Sequence, residues 1–200
     1  MTFPTLEHEE ILWQNGYSYL AGVDEAGRGC LAGPVVAATV ILPPRVDLNG
    51  INDSKKLSPK AREKCLGEIL KKAVAVSIGI CMPEEIDSLN ILQASLEAMR
   101  RAVLSLKMRP DYLLIDGLYK VNVSLPQVCL KHGDSQSISI AAASIVAKVY
   151  RDQVMTAYHD LFPQYNLKKN KGYPTAQHKQ AIKDYGLCYL HRRSFRPCAD

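Results

Sequence analysis

Two adjacent carboxylates, Asp24 and Glu25, stand at the end of an apolar run and lead into Gly27-Arg28-Gly29. In a strand, neighbouring side chains point to opposite faces. The pair therefore converges on one point only if the chain bends there. Gly27 and Gly29 supply that freedom and leave bare backbone N–H groups beside the acids. An Asp-Glu pair after a strand is commonly a solvated loop or a helix cap, and a Gly-Arg-Gly is commonly just a turn. Joined to a buried-looking strand, acid, turn and arginine point instead to a site for metal and phosphate.

Two more acids have comparable settings. Asp116 ends the apolar run Tyr112-Leu113-Leu114-Ile115 and precedes Gly117, and Asp134 follows Gly133 just before an Ala-rich stretch. Taken singly, Asp116 reads as a turn or helix cap and Asp134 as an Asx-turn. Ligands in open α/β sheets gather at strand ends, which makes one cluster of Asp24, Glu25, Asp116 and Asp134 the expected geometry. Four carboxylates without counter-ions repel and raise each other's pKa values. A divalent cation resolves the conflict, and all-oxygen ligands suit Mg²⁺ or Mn²⁺. Paired ions on a phosphodiester can activate water and stabilise the leaving oxygen.

The elements that must position these acids follow from periodicity. Residues 7–15 read as a short amphipathic helix, 18–23 as a first strand and 34–42 as a second, stopped by Pro43-Pro44. The Gly-rich connection predicts an antiparallel hairpin. Ser58-Pro59 is a helix start, followed by Leu66, Ile69, Leu70 and Ala73 at helical spacing. Residues 74–81 read as a third strand. Pro83 with Glu84 and Glu85 opens one long helix with Leu89, Leu92, Leu96, Met99, Val103 and Leu106 as its buried stripe. A further strand is expected at 127–130, a helix at 139–158, and loop with short helices after Pro163. A hairpin followed by alternating helix and strand predicts an α/β fold with a mixed sheet.

Composition bounds the function classes. At 200 residues, 47% hydrophobic and 22% charged, the chain suits one globular domain with a sizeable core and is no disordered tail. From residue 161 onward eight Lys and Arg stand against two acids, a surplus of six. The chain's formal net charge is +5, so the preceding part sums to −1. A basic lobe on a near-neutral body predicts a polyanionic partner. Six scattered cysteines form no C-x-x-C pair, which argues against a zinc site. With no signal peptide they fit reduced thiols in the cytoplasm. No apolar run is long enough to cross a membrane.

The chain resembles ribonuclease HII. The carrying residues are Gly22 to Gly29, Asn52-Asp53-Ser54-Lys55-Lys56-Leu57, Ile115-Asp116-Gly117 and Lys131-His132-Gly133-Asp134. Ala141 to Val149, Arg151-Asp152 and Lys171-Gly172-Tyr173-Pro174-Thr175 complete the set, in family order. The resemblance implies a ribonuclease H-like α/β fold, with a catalytic domain over residues 1–160 and a basic helical extension over 161–200. It implies an endonuclease that cuts the RNA strand of RNA–DNA hybrids, and single ribonucleotides embedded in duplex DNA, leaving 5′-phosphomonoesters. Asp24, Glu25, Asp116 and Asp134 match the metal-binding, catalytic carboxylates. Gly27, Arg28, Gly29 and Tyr173 match the substrate-reading residues, and Lys55 and Lys148 are candidate phosphate contacts. One departure is Asn170, where a histidine often precedes Lys-Gly-Tyr; local contacts, not chemistry, are expected to change. Ribonuclease HIII is the related alternative, but it normally carries an extra N-terminal domain and only about twenty residues precede the first strand. A hybrid-binding module without catalysis is the other, and the presence of all four acids argues against it.

Overall fold

The structure is a computed structural model that describes residues 3–48, 50–51, 54 and 57–198. Among these, five strands form one sheet in the order β3-β2-β1-β4-β5. Strands β1 (Leu20–Ala26) and β2 (Val35–Ile41) pair antiparallel, as the hairpin signal predicts, and β3 (Ala75–Cys81) pairs antiparallel with β2. Strand β4 (Tyr112–Asp116) lies parallel to β1, and β5 (Gln127–Leu130) parallel to β4. The helices are α1 (Glu7–Gln14), α2 (Pro59–Lys72), α3 (Pro83–Leu89), α4 (Ile91–Leu104), α5 (Ile138–Leu161), α6 (Leu167–Asn170) and α7 (Ala176–Tyr185). No helix among the described residues is long and apolar enough to cross a membrane.

Two expectations need correction. The first strand does not stop at residue 23 but runs through Asp24 and Glu25 to Ala26, because β2 pairs with it along its length, up to Ala26↔Val36. The single helix expected from Pro83 is two, broken at Asn90. Asn90 takes a left-handed φ of +69° and caps α4 by accepting the amides of Leu92 and Gln93. The buried line of α4 is Ala94, Ala98 and Ala102 with Met99 and Val103, whereas Leu89 is exposed. Small residues win because this helix lies against the sheet at Gly79, where an added Cβ would fall 2.0 Å from the Ala98 carbonyl oxygen.

Helix α5 covers the opposite face. Its Ala141, Ala142, Ala143 and Ile145 join Ala38, Val40 and Leu42 of the hairpin and Ile69 of α2 in one core, while Val23, Ala37 and Ile115 meet α4 in the other. The α5 N-terminus touches β1 directly: a Cβ on Gly22 would lie 2.1 Å from the carbonyl carbon of Ser139. Buried Glu9 of α1 fixes that end, accepting from the Ser137 hydroxyl (2.6 Å) and the Ser139 amide (2.9 Å). A carboxylate on orphan N–H groups also suits the helix dipole.

Two fully buried arginines hold the loop between β1 and β2. Arg151, on α5, donates to the carbonyls of Pro34 (2.9 Å), Ala32 (3.1 Å) and Lys171 (2.9 Å). Arg192, near the C-terminus, donates to those of Gly33 (2.9 Å), Arg28 (2.9 Å) and Gly27 (2.7 Å). Burial pushes the Arg192 guanidinium down to about 10, which leaves it charged at neutral pH. The segment after α5 thereby closes onto the Gly-Arg-Gly turn and adds a small core of its own around Tyr165, Leu167 and Leu190.

Two glycines separate the roles of space and conformation. Gly22→Ala is expected to cost about 3 kcal/mol, because backbone cannot yield to the new methyl. Gly67→Ala, in α2 with open space around its Cβ position, is expected to stabilise by about 0.5–1 kcal/mol. Urea unfolding reads both, and a neutral Gly22→Ala would refute the contact. Arg192→Lys keeps the charge but loses the planar fork, leaving loop carbonyls unpaired. It is expected to cost about 2–4 kcal/mol in the same assay, and unchanged stability would contradict the clamp.

Candidate active site

Parallel pairing of β1 with β4 sets Val23 beside Ile115. The next residue of each strand is an acid, so Asp24 and Asp116 fall side by side at the carboxyl ends of two central strands. With Glu25 they line a cleft of about 290 Å³, together with Gly27, Arg28, Gly29, Ser54, Ser144, Lys148 and Tyr173. Because β1 continues through them, Asp24 shares the face of Gly22, toward α5, and Glu25 the face of Val23, toward α4. The convergence expected from a bend is achieved without one: the two acids straddle the end of the sheet and reach the cleft from either face.

Each carboxylate is held. Asp24, 5% exposed, accepts the Glu25 amide at 2.7 Å, and the Ser144 hydroxyl favours its charged form; Ser144 is in turn 3.0 Å from Ser54. Burial, followed by the charges of Glu25 and Asp116, pushes Asp24 well above the usual carboxylate range. Glu25 pairs with Arg28 at 3.2 Å. Asp116 accepts the Gly133 amide at 2.6 Å. Asp134 follows on the 3₁₀ turn Gly133–Ser135, where it is buried and does not line the cleft. Among the described residues no group of three His, Cys, Asp or Glu side chains is already gathered as a metal cage. The donor set nonetheless fits a hard divalent cation: it is all oxygen, and the upward push on Asp24 marks a site short of positive charge.

Of the two glycines around Arg28, only Gly27 needs its freedom. Its φ is +100°, and a Cβ there would strike Arg151 Nε at 2.1 Å. Gly29 has no positive φ and has open space, so its value is access to bare backbone. Lys148 lines the same wall, paired with Asp152 at 2.7 Å and with its ammonium 5.6 Å from the centre of the Tyr173 ring. Tyr173 is 39% exposed at the cleft mouth. Asn170 accepts the Gly172 amide (2.8 Å) and donates to the Tyr165 carbonyl (2.6 Å), closing the turn before Tyr173. Lys55 lies outside the described residues, as do Asn52, Asp53 and Lys56.

The structure adds roles that the sequence does not assign to Ser144, Arg151, Arg192 and Lys171. Ser144 was hidden in the Ala-rich run as one more small residue. Arg151 follows Ala147 and precedes Met155 at four-residue spacing, so it sits on the buried stripe of α5, a pattern that flags a buried cation. Arg192, part of the basic surplus of the tail, is fully buried. Lys171 from that tail is tied down too, donating to Thr156 Oγ1 at 2.6 Å and the Asp152 carbonyl at 3.1 Å. The cationic surface of the tail therefore rests on other residues, among them the exposed Lys168 and Lys169.

Known proteins resemble this chain in sequence and fold. The family model for ribonuclease HII matches residues 21–198. The ribonuclease HII of Syntrophotalea carbinolica is 54% identical over 191 residues, covering 96% of this chain and 91% of its own. The solved ribonuclease H2 of Pyrococcus horikoshii OT3 superposes with a TM-score of 0.76 at 24% identity, over 90% of this chain and 94% of that one. Bst-RNase HIII, solved in complex with Mn²⁺, shares the fold at a TM-score of 0.73 and 18% identity, over 91% and 68%. With a family match along nearly its whole length and a relative more than half identical to it, the chain belongs to the ribonuclease HII family.

Proposed function

We propose that this ribonuclease H-type nuclease of RNA–DNA hybrids cleaves in the cleft formed by Asp24, Glu25 and Asp116, with divalent cations held there. The observation that carries this reading is the parallel register of β1 and β4, which sets Asp24 and Asp116 side by side with Glu25. Asp134 joins them by way of Gly133, whose amide already binds Asp116. Mg²⁺ or Mn²⁺ fits the oxygen donors, and the Mn²⁺ in Bst-RNase HIII supports that choice. A bound ion would supply Lewis acidity, lowering the pKa of a water and offsetting charge on the leaving oxygen.

The chain's own groups do the rest. Arg28 offers a guanidinium fork at the mouth, free to swing from Glu25 to a phosphate. Gly29 lets backbone approach a sugar closely. Tyr173 presents ring and hydroxyl to the ribose, whose 2′-hydroxyl distinguishes RNA from DNA. Lys148 lies within reach of the same strand. These contacts also suit a single ribonucleotide within duplex DNA, because they meet one sugar and its phosphate. The segment over 161–200 acts as a basic extension that steadies the duplex through residues such as Lys168 and Lys169. Six free cysteines support work in the reducing cytoplasm.

Asp24→Asn and Asp116→Asn are each expected to lower cleavage of an RNA–DNA hybrid by at least about a thousandfold, since each removes a charged ligand. Duplex affinity, set by phosphate contacts elsewhere, should stay within about threefold. Single-turnover cleavage and filter binding on one labelled hybrid measure the two. Near-wild-type turnover in either variant would remove the carboxylate from the reaction.

A further inference from the structure

Beneath the Tyr173 loop lie two imidazoles, His178 at 0% and His191 at 2% exposure, with their Nε2 atoms 3.2 Å apart. The far end of each ring fixes its proton. His178 Nδ1 is 2.9 Å from the Tyr173 carbonyl, which can only accept, so that nitrogen carries the hydrogen. His191 Nδ1 meets Cys188 three ways: its amide at 3.0 Å, its Sγ at 3.2 Å and its carbonyl oxygen at 3.3 Å. The amide is the nearest and can only donate, and a lone pair on His191 Nε2 would face the lone pair of His178 Nε2, so His191 Nδ1 carries the lone pair and Nε2 the hydrogen. A neutral imidazole has one donor and one acceptor. His191 Nε2–H must therefore donate to His178 Nε2, and the bonds run in one direction from Cys188 to Tyr173. Tyr165 stands edge-on to both rings, at 6.2 and 4.7 Å between centres, and donates its own hydroxyl to the Gly186 carbonyl. Burial lowers both imidazoles, His191 to about 4, so the neutral pair this order requires is the form present at neutral pH.

We propose that His178 and His191 form a positioning pair that sets Tyr173 at the cleft mouth through the Tyr173 carbonyl. That carbonyl also accepts the Thr175 amide at 2.8 Å, and the Tyr173 amide donates to the Asn170 carbonyl at 2.9 Å. The peptide groups on both sides of Cα are thus pinned, and the ring's attitude over the cleft follows from them. The pair touches neither the carboxylates nor the cleft; its effect on the reaction passes through Tyr173. The proposal rests on the reading above that Tyr173 meets the substrate.

Two measurements test it. Nitrogen-15 NMR of the histidines in the full chain at neutral pH should find His178 protonated on Nδ1 and His191 on Nε2. The same tautomer in both, or a doubly protonated ring in either, overturns the order. Kinetics then test the role on a duplex with one ribonucleotide. His178→Leu should lower kcat/KM about five- to tenfold, the scale of one lost hydrogen bond. His178→Asn, whose amide can donate to the same carbonyl, should recover most of it. In a Tyr173→Ala background His178→Leu should cost nothing further. Equal loss in both backgrounds overturns the positioning role alone. Wild-type kinetics in Tyr173→Ala overturns the substrate role of Tyr173 and the positioning role with it.

Discussion

Two buried guanidiniums bound to backbone carbonyls hold the site together. A cation removed from water needs its donors satisfied, and Arg151 and Arg192 satisfy theirs on the loop that joins β1 to β2. The rigid fork of arginine suits this, because one side chain reaches several carbonyls at once. Arg151 also binds the Lys171 carbonyl. One group therefore ties the Gly-Arg-Gly side of the cleft to the Tyr173 side. The late part of the chain is in this sense part of the site: without Arg192, the Arg28 carbonyl would lose its donor and the Gly27 carbonyl would keep only the Cys30 amide at 3.4 Å.

On this frame the electrostatics of the cleft divide cleanly. Strand register brings like charges together at the sheet end, where burial makes Asp24 resist ionisation. Positive charge stands at the rim, on Arg28 and Lys148, each already engaged with an acid. On the proposed function, such an arrangement suits a partner that carries anion and cation together, as a phosphodiester with its metal ion does. Rigid backing matters for such a site, since reacting groups misplaced by even one ångström lose much of their rate advantage.

Much of this was legible in the sequence. The hairpin, the short strand ending in Asp116 and the Ala-rich helix followed from periodicity and turn residues; that this strand pairs parallel with β1 did not. The three acids of the cleft followed from their places at strand ends. What was not legible is tertiary in origin. The extension of β1 to Ala26 depends on β2 pairing, not on the apolarity of Asp24 or Glu25. The break at Asn90 depends on a left-handed residue that no helix pattern reveals. Arg192 looked like surface charge because nothing local marks a cation whose partners are carbonyls some 160 positions earlier. Asn170 looked like a departure from pattern, yet its amide closes the turn before Tyr173.

The most direct test of the account is cleavage of a DNA duplex carrying one ribonucleotide, beside an RNA–DNA hybrid and an all-DNA duplex, with Mg²⁺, with Mn²⁺ and with a chelator. The first two are expected to be cut at the RNA, with 5′-phosphate ends, only when a divalent cation is present, and DNA alone is expected to stay intact. Cleavage that persists in chelator, or that ignores the ribose and cuts all three duplexes, would contradict it.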